Sequence, residues 1–363
     1  MLKKTLKPLL FLIFCSFILS CSNNSSSENL PEENPPIQNV LEIKGADFSF
    51  LPEVRQSGIS YQNISGVSED MLTTFKNNGG NTVRLRIWMN PSSSNSDFNT
   101  VKNLSQEIKS KGMKVLLSVH YSDSWADPAK QTKPEIWKNY NFNELKEAVS
   151  VYTKKIITEI NPEYIQIGNE INHGMLWQDG KIENTNQFRE LLQSGISAVK
   201  ATNANTKIII HFAGTDGSVE FFNIIKDLNF DIIGISYYPI WHGKNLDLLK
   251  QNLLQLSNSF QKKILIAETS YPFTLGWKDQ TQNIIGLQSQ ILPQFAATPE
   301  GQKNFLNKMK EIVKEIDGIG FCYWGAEWSA YKGNASTSGS SWENQAFWDF
   351  ENKALPVLEV YKN

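Results

Sequence analysis

The chain has 363 residues, of which 40% are hydrophobic and 20% are charged, and its formal net charge is −2 at pH 7. Acidic and basic residues are mixed along the sequence, so charge provides no basis for a nucleic-acid partner or for binding to an anionic membrane surface. The 4 histidines and 3 cysteines form no paired metal-ligand motif, which argues against a catalytic zinc site.

The first 20 residues have the features of a secretory signal peptide. Lysines precede an apolar run over residues 9–19, which is about half of the ~20 residues that a membrane-spanning helix needs. Residues 18–21, Ile-Leu-Ser-Cys, resemble a bacterial lipobox, in which the cysteine becomes the lipidated first residue of the mature protein. We therefore expect an exported protein anchored to a bacterial membrane only by a lipid on Cys21, at the outer membrane or the cell surface. An ordinary cleavage site with an incidental cysteine is the alternative.

Residues 21–40 begin with Cys21 and are otherwise polar and rich in proline, and we expect them to be a disordered linker. Residues 41–363 contain no second segment of this composition and form one predicted domain, of a length that α/β barrels reach. Loss of Cys15 with the signal and lipidation of Cys21 leave Cys322, so we expect no disulfide within the mature domain. Cys322 lies in an apolar run and is predicted to be a buried hydrophobic residue.

Short β-branched runs alternate with longer segments of helical periodicity, which is the pattern of βα units around a parallel sheet. Eight runs are predicted strands, and no Gly-x-Gly-x-x-Gly turn follows any of them, which favours a (β/α)8 TIM barrel of the α/β class over a doubly wound open sheet. The predicted strands are 41–48, 82–88, 114–121, 164–168, 207–214, 231–238, 263–267 and 318–324.

Two predicted strands end in a glutamate, Glu170 after Gly168-Asn169 and Glu268 after Ala267. The carboxyl ends of barrel strands face the active site, so the two carboxylates are expected to meet there. A pair of carboxylates is what glycosidic hydrolysis requires. Glu170 suits the acid/base role, with the neighbouring Asn169 holding a sugar hydroxyl, and Glu268 suits the nucleophile. Glu327 is a third acid, but it is expected to serve its loop.

The ends of the first two strands offer polar groups to this site. Asp47 is a candidate ligand of a sugar hydroxyl, with a helix cap or loop contact as the alternative. Arg84, Arg86 and Trp88 alternate and so share one face of their strand. A charge facing into a barrel needs a partner, and we predict that Arg86, the arginine nearer the mouth, pairs with a catalytic carboxylate, rather than forming a purely structural ion pair.

Aromatic residues and histidines follow several other strands, where they can stack on sugar rings. His120 lies at the end of the third strand and Trp125 follows it, and both are expected to line a cleft. Tyr237 and Tyr238 end the sixth, and one of the two should point inward, although parity alone does not say which. Trp324 ends the eighth strand as a candidate floor for the sugar site.

Six segments together resemble a known family. They are similar to glycoside hydrolase family 53, the endo-β-1,4-galactanases that cut the galactan side chains of pectin (type I arabinogalactan). The likeness covers roughly residue 43 to the C-terminus. The segments are 83–91, 120–128, 168–170, 235–243, 267–272 and 339–345.

This resemblance implies a TIM barrel that hydrolyses with retention, through carboxyl groups about 5–5.5 Å apart, and without a required cofactor. It implies a cleavage-point subsite lined by five residues and stacking contacts from Trp88 and Trp342. Some bacterial members hold a structural calcium between the loops after strands 7 and 8. Here Asp279, Thr281 and Asn283 can offer oxygens, but the loop is short of acids. The five subsite residues are His120, Trp125, Asn169, Tyr238 and Trp324.

The leading hypothesis is therefore a lipid-anchored, monomeric endo-β-1,4-galactanase whose partner is its polysaccharide substrate. A retaining β-glycanase of another specificity, acting on mannan or a β-glucan, would differ only in the residues that line the cleft. A non-catalytic glycan-binding lipoprotein would need the aromatic residues but no pair of carboxylates.

Overall fold

The computed structural model describes residues 40–362. The predicted signal peptide, Cys21 and most of the predicted linker lie outside the described residues. Within 40–362, no helix combines the length and the apolar character that a bilayer crossing requires.

Eight parallel strands form a closed barrel in sequence order, and β1 pairs with β8 to complete the ring. The predicted (β/α)8 fold is confirmed, and all eight predicted strands are present with shifted ends. β6 ends at Ser236 because Pro239 opens a short helix directly after Tyr237 and Tyr238. The strands are β1 Ile43–Asp47, β2 Thr82–Ile87, β3 Lys114–Val119, β4 Tyr164–Ile167, β5 Lys207–Ala213, β6 Ile232–Ser236, β7 Lys263–Thr269 and β8 Gly320–Tyr323.

Nine α-helices of the described region lie between or beside the strands. Side-chain caps determine where several begin: Asp70 accepts hydrogen bonds from the first turn of α2, and Asn141 forms a capping box with Glu144 at the start of α4. The helices are α1 Leu51–Gln56, α2 Met71–Asn77, α3 Phe98–Ser110, α4 Phe142–Glu159, α5 Thr185–Thr202, α6 Ser218–Ile225, α7 Pro239–His242, α8 Leu246–Phe260 and α9 Pro299–Glu315.

The barrel interior is filled below the site by a cluster of buried side chains that is separate from the layer between strands and helices. Cys322 belongs to this cluster and is a fully buried free thiol, as predicted. Gly45 is required beside it, because a Cβ at this position would lie 2.4 Å from the Cys322 sulfur. The filled interior leaves the carboxyl ends of the strands as the open end, where a cleft lies. The cluster comprises Ile43, Leu116, Tyr164, Ile209, Ile232, Leu265, Ala267 and Cys322.

Candidate active site

Glu170 and Glu268 face each other in a cleft of about 670 Å³ at the carboxyl end of the barrel. Glu268 lies within β7, whereas Glu170 follows β4 in a turn where Gly168 and Glu170 both have positive φ, 82° and 47°. One carboxylate oxygen of each lies within 4.8 Å of the other. Oxygens this near to each other bring the two carboxyl groups close enough for the ~5–5.5 Å arrangement of retaining glycosidases.

Arg84 is the arginine that holds the carboxylates of the site. It donates to Glu268 Oε1 at 2.6 Å and to Asp47 Oδ2 at 2.9 Å, and its other bonds go to Gln166 and Asn169. The prediction that Arg86 pairs with a catalytic carboxylate is therefore wrong. Both arginines share a face, but Glu268 lies inside β7 rather than beyond its end, so the deeper arginine is the one level with it.

Asp47 is the second partner of Arg84, and the predicted contact with a sugar hydroxyl is not supported. Asp47 is 3% exposed, and its two carboxylate oxygens accept from the Ser49 backbone N–H and from Arg84. It is the register partner of Arg84 in the β1–β2 pairing, which accounts for this contact. Its role is to balance the buried guanidinium together with Glu268, which neither alternative anticipated, and the bond from the Ser49 N–H adds the loop contact.

The two glutamates differ in what surrounds them. Burial and the nearby charge of Glu268 raise the pKa of Glu170 to about 8. Burial also raises the pKa of Glu268, but Arg84 and the hydroxyl of Tyr238, which donates to Oε2 at 2.8 Å, act against burial. Glu268 is therefore the glutamate that ionises first, and Glu170 is the one that keeps its proton near neutral pH.

A hydrogen-bonded chain supports Glu170 from below. Ser236 Oγ donates to Glu170 Oε1 at 2.5 Å, and His211 Nε2 lies 2.8 Å from the same hydroxyl. Burial lowers the pKa of His211 well below its usual value, so its ring is neutral. Gln166 Nε2 donates to His211 Nδ1, which leaves the His211 proton on Nε2, directed at Ser236.

Glu170, His211 and Glu268 together could offer a metal ion three ligand atoms within 4.8 Å of one another. A cation there would lie beside the Arg84 guanidinium and would displace the bonds from Ser236 and Tyr238. The arrangement therefore suits proton transfer and nucleophilic attack better than metal binding.

The two neighbouring tyrosines have different roles. Tyr238 points inward and donates to Glu268, whereas Tyr237 points into the packing and donates to the Gly243 carbonyl at 2.9 Å. Tyr237 is 1% exposed and does not line the cleft, so its predicted contact with substrate is not supported. Successive residues of an extended chain point to opposite sides, which allows only one of the pair to reach the site.

Indole rings line the cleft, including three predicted ones, Trp125, Trp324 and Trp342. Trp88 was also predicted, but it is 8% exposed and lies behind the wall, with its ring 5.3 Å from that of Trp125. It supports Trp125 rather than contacting the cleft. Trp241 and Trp328 line the cleft without having been predicted, and both come from segments that follow strand ends and are rich in aromatic residues.

Arg86 lies among these rings instead of beside a carboxylate. Its guanidinium carbon is 4.6 Å from the ring centroids of Phe50 and Trp88 and 4.0 Å from that of Trp125. Its Nε donates to Ser96 Oγ. Burial lowers the pKa of Arg86 to about 10, so the guanidinium is still positively charged near neutral pH. The three aromatic rings stabilise this charge. Arg86 lines the cleft, as predicted, through a different set of contacts.

His120 and Asn169 also line the cleft. His120 Nδ1 accepts from the Ala126 backbone N–H at 3.0 Å, so the neutral ring keeps a proton on Nε2. The Asn169 amide oxygen accepts from Arg84 and Ser118, and its nitrogen donates to the Ala126 carbonyl. These bonds fix the amide next to Glu170 and leave it one N–H.

Glu327, the third acid, is fully buried and accepts from the Phe50 backbone N–H at 2.5 Å. It does not line the cleft. Through this bond it holds the loop that contains Phe50, as predicted. Phe50 in turn stacks on the cleft residue Trp328, with centroids 4.3 Å apart.

The candidate calcium ligands lie where the loop after β7 meets the loop after β8. Asp279 and Asn283 are 2% and 4% exposed, and Glu343 is fully buried beside them. Burial and the charge of Asp279 raise the pKa of Glu343. The Asn283 side-chain oxygen is buried without a hydrogen-bond partner, whereas the Thr281 hydroxyl already accepts from the Gly339 N–H. Two buried carboxylates and an unpartnered amide oxygen fit a hard cation such as calcium.

Comparison with known proteins places this geometry in a family. The family model described as Glycosyl hydrolase family 53 matches residues 43–361. The chain is 33% identical to the arabinogalactan endo-beta-1,4-galactanase of Cellvibrio japonicus, over 88% of this chain and 90% of that protein. It is 31% identical to the endo-beta-1,4-galactanase of Bacillus subtilis, over 88% and 85% of the two chains.

A solved structure supports the same family assignment. The GH53 catalytic domain of Ignisphaera aggregans superposes with a TM-score of 0.84 at 40% identity, covering 90% of this chain and 98% of that one. The family-model match over residues 43–361 includes all eight strands and both glutamates of the cleft. The chain is a member of glycoside hydrolase family 53.

Proposed function

We propose that this protein is a retaining endo-β-1,4-galactanase that cleaves the β-1,4-galactan side chains of pectin. The observation that carries the proposal is the pair Glu170 and Glu268, with oxygens within 4.8 Å of each other and with opposite protonation favoured by their surroundings. The galactanase names of relatives that align over most of this chain support the choice of substrate.

In the first step, ionised Glu268 attacks the anomeric carbon while protonated Glu170 gives its proton to the bridging oxygen, so the downstream sugar leaves. Arg84 and Tyr238 hold the two oxygens of Glu268 and orient the attack. In the second step, Glu170, now ionised, takes a proton from water, which attacks the same carbon and releases Glu268. Two displacements on one carbon retain its configuration.

The cleft provides the surface on which the polysaccharide lies. Trp125, Trp324 and Trp342 present apolar ring faces, and His120 and Asn169 present N–H groups for sugar hydroxyls.

The experiment is hydrolysis by purified protein of linear β-1,4-galactan, β-mannan and a β-glucan, with products followed over time. We expect a series of galactooligosaccharides from galactan alone, formed first as the β-anomer in proton NMR. Cleavage of mannan or glucan but not galactan would support a β-glycanase of another specificity. Release of the α-anomer would contradict retention.

The matched variant is Glu268→Gln, which keeps shape and polarity but cannot attack carbon. We expect its rate on galactan to fall by a factor on the order of 10³ or more, with binding to galactan retained. A non-catalytic glycan-binding protein would show the same behaviour with and without this change, so the variant separates the two classes of function.

We further propose that the protein is exported and held at a membrane by a lipid on Cys21. The charged and apolar start of the sequence and the Ile-Leu-Ser-Cys segment support this. Cells expressing the full chain with a radiolabelled fatty acid should yield a labelled protein in the membrane fraction. Cys21→Ala should remove both the label and the membrane association, and label that persists in this variant would overturn the proposal.

We also propose a structural calcium ion held by Asp279, Glu343 and Asn283. Such an ion would offset the repulsion between the two buried carboxylates and fasten the loop after β7 to the loop after β8. Trp342 is adjacent to Glu343, so the ion would stabilise one wall of the cleft indirectly.

A further inference from the structure

A second cavity lies beside the catalytic cleft and takes no part in the reaction described above. Its volume is about 450 Å³, which is within the ~300–1,000 Å³ usual for ligand pockets. The loop after β5, the short helix α7 and the outer side of α8 form its walls. We call it the side cavity, and its main side chains are Thr215, Asp216, Trp241, His242, Asn252 and Gln255.

The side cavity is continuous with the cleft. Ala213, Trp241 and His242 line both spaces, so they form the border between them. Trp241 is 54% exposed, an unusual state for so large an apolar side chain. Its ring centroid lies 5.2 Å from that of Tyr238 and 6.2 Å from that of Trp342, so the indole is held beside the tyrosine that hydrogen-bonds the nucleophile while about half of it stays accessible.

The residues of this border lie on the same side of the catalytic site as Glu170, the proposed acid. Ser236, whose hydroxyl donates to Glu170, accepts through its carbonyl from the Gly214 N–H at 3.0 Å. Asn172, in the turn after Glu170, exchanges two hydrogen bonds of 2.8 and 2.9 Å with the backbone of Ala213. In the proposed reaction Glu170 protonates the oxygen that departs, so the sugars of the leaving group lie on this side.

We propose that the side cavity binds a galactosyl unit of the leaving-group part of the polysaccharide, downstream of the bond that is cut; this inference rests on the proposed function. The exposed face of Trp241 suits stacking on the C–H face of a pyranose ring. Asn252 Nδ2 donates to Thr215 Oγ1 at 2.9 Å, so this pair offers a sugar the Asn252 amide oxygen, a second N–H and the Thr215 hydroxyl proton, and Gln255 offers a second amide. The lining residues include the acid Asp216 and no lysine or arginine, which favours a neutral sugar over a uronic acid.

The test compares kcat/KM on linear β-1,4-galactohexaose with kcat/KM on an aryl β-1,4-galactobioside, because the hexaose has galactosyl units downstream of the bond that is cut, whereas the leaving group of the aryl substrate is a phenol. The variants are Asn252→Ala, which removes an amide, and Gln255→Trp, which fills the cavity from an exposed position of α8. The control is Leu254→Ala, on the same helix, 43% exposed and outside the lining.

We expect the ratio of the two kcat/KM values to fall about tenfold in Gln255→Trp and several-fold in Asn252→Ala, the loss that one or two hydrogen bonds represent. The ratio should stay at the wild-type value in Leu254→Ala. Wild-type activity on galactan with an unchanged ratio in both cavity variants would overturn this inference alone. Absence of wild-type activity on galactan would overturn the proposed function and this inference with it.

Discussion

Arg84 Nη2 lies 2.6 Å from Glu268 Oε1, and both side chains are almost completely buried. The same guanidinium also pairs with Asp47, so one buried cation faces two buried carboxylates. Their attraction is strong because little water screens it. This contact lowers the pKa of Glu268 against the effect of burial and so favours the ionised form of Glu268 over that of Glu170, and the following predictions test its consequences.

We expect Arg84→Lys to lower kcat/KM on galactan by about 100-fold, equivalent to ~2.7 kcal/mol of barrier. A lysine cannot keep the forked bonds to Asp47 and Glu268 together. The acidic limb of the pH–rate profile should also move to higher pH, because the hydrogen bond from Arg84 lowers the pKa of Glu268 and the lysine does not keep that bond in place.

Arg86→Lys is the matched control for this change. It alters an arginine two positions away on the same strand face, which contacts aromatic rings rather than Glu268. Its acidic limb should stay at the wild-type position, although KM rises through the loss of the stacked guanidinium. Equal shifts of the acidic limb in the two variants would contradict the assignment of Arg84.

The tyrosine pair offers a second comparison. Tyr238→Phe removes the hydroxyl that donates to Glu268, and we expect kcat to fall by about 10- to 100-fold. Tyr237→Phe removes a hydrogen bond to a backbone carbonyl outside the cleft, and we expect kcat to change by less than about threefold. Steady-state kinetics on galactan measure both. A larger loss in Tyr237→Phe would show that the inward tyrosine has been misassigned.

The pH dependence of kcat/KM should reflect the proton on Glu170. Activity requires this proton, and the pKa of Glu170 is raised to about 8, so activity should decline as pH rises through about 8. Ser236→Ala should move this alkaline limb to higher pH, since the Ser236 hydroxyl lowers the pKa of Glu170. A shift to lower pH would contradict the hydrogen bond.

The same proton affects stability. A carboxyl whose folded-state pKa is raised favours the folded state fully at pH values below about 4.5 and loses that contribution as pH rises through about 8. Glu170→Gln stays neutral throughout. The melting temperature of this variant relative to wild type should therefore increase between pH 5 and pH 9, as measured by differential scanning calorimetry. A constant difference would show that Glu170 is not perturbed.

Removal of calcium should lower the melting temperature of the wild type by several degrees. An ion present at about 100 times its Kd contributes ~2.7 kcal/mol, and each kcal/mol corresponds to ~2–4 °C in a domain of this size class. Asp279→Asn should melt at one temperature with and without chelator, because a main ligand is lost.

Glu351→Gln is the control for the calcium test, because Glu351 is an exposed acid near the same loop that pairs with Lys278. It should keep the full response to the chelator. A wild-type melting temperature that does not respond to chelator would overturn the calcium proposal without affecting the catalytic assignment.

Much of this protein was determined by the sequence alone. Alternation of β-branched runs with helical segments specifies eight βα units, because strand and helix periodicities differ and each element buries the face its pattern defines. The two strand-end glutamates were identified for the same reason, since the fold brings the carboxyl ends of all strands to one place. Trp125 and Trp324 followed from the same rule, whereas Tyr238 was placed at the subsite only by the family resemblance.

The partners inside the cleft were decided only by the tertiary structure. Arg84 and Arg86 are two residues apart on one strand and so point to the same face. Which of them reaches Glu268 depends on how deep Glu268 lies in the barrel, on a strand far away in sequence. Asp47 and Trp88 both lie near the carboxyl end of the barrel, but neither is placed to contact a sugar. Asp47 is bound by Arg84, and Trp88 packs behind Trp125. Periodicity assigns a side chain to a face, but depth within the barrel depends on register between strands, which is a property of the closed sheet.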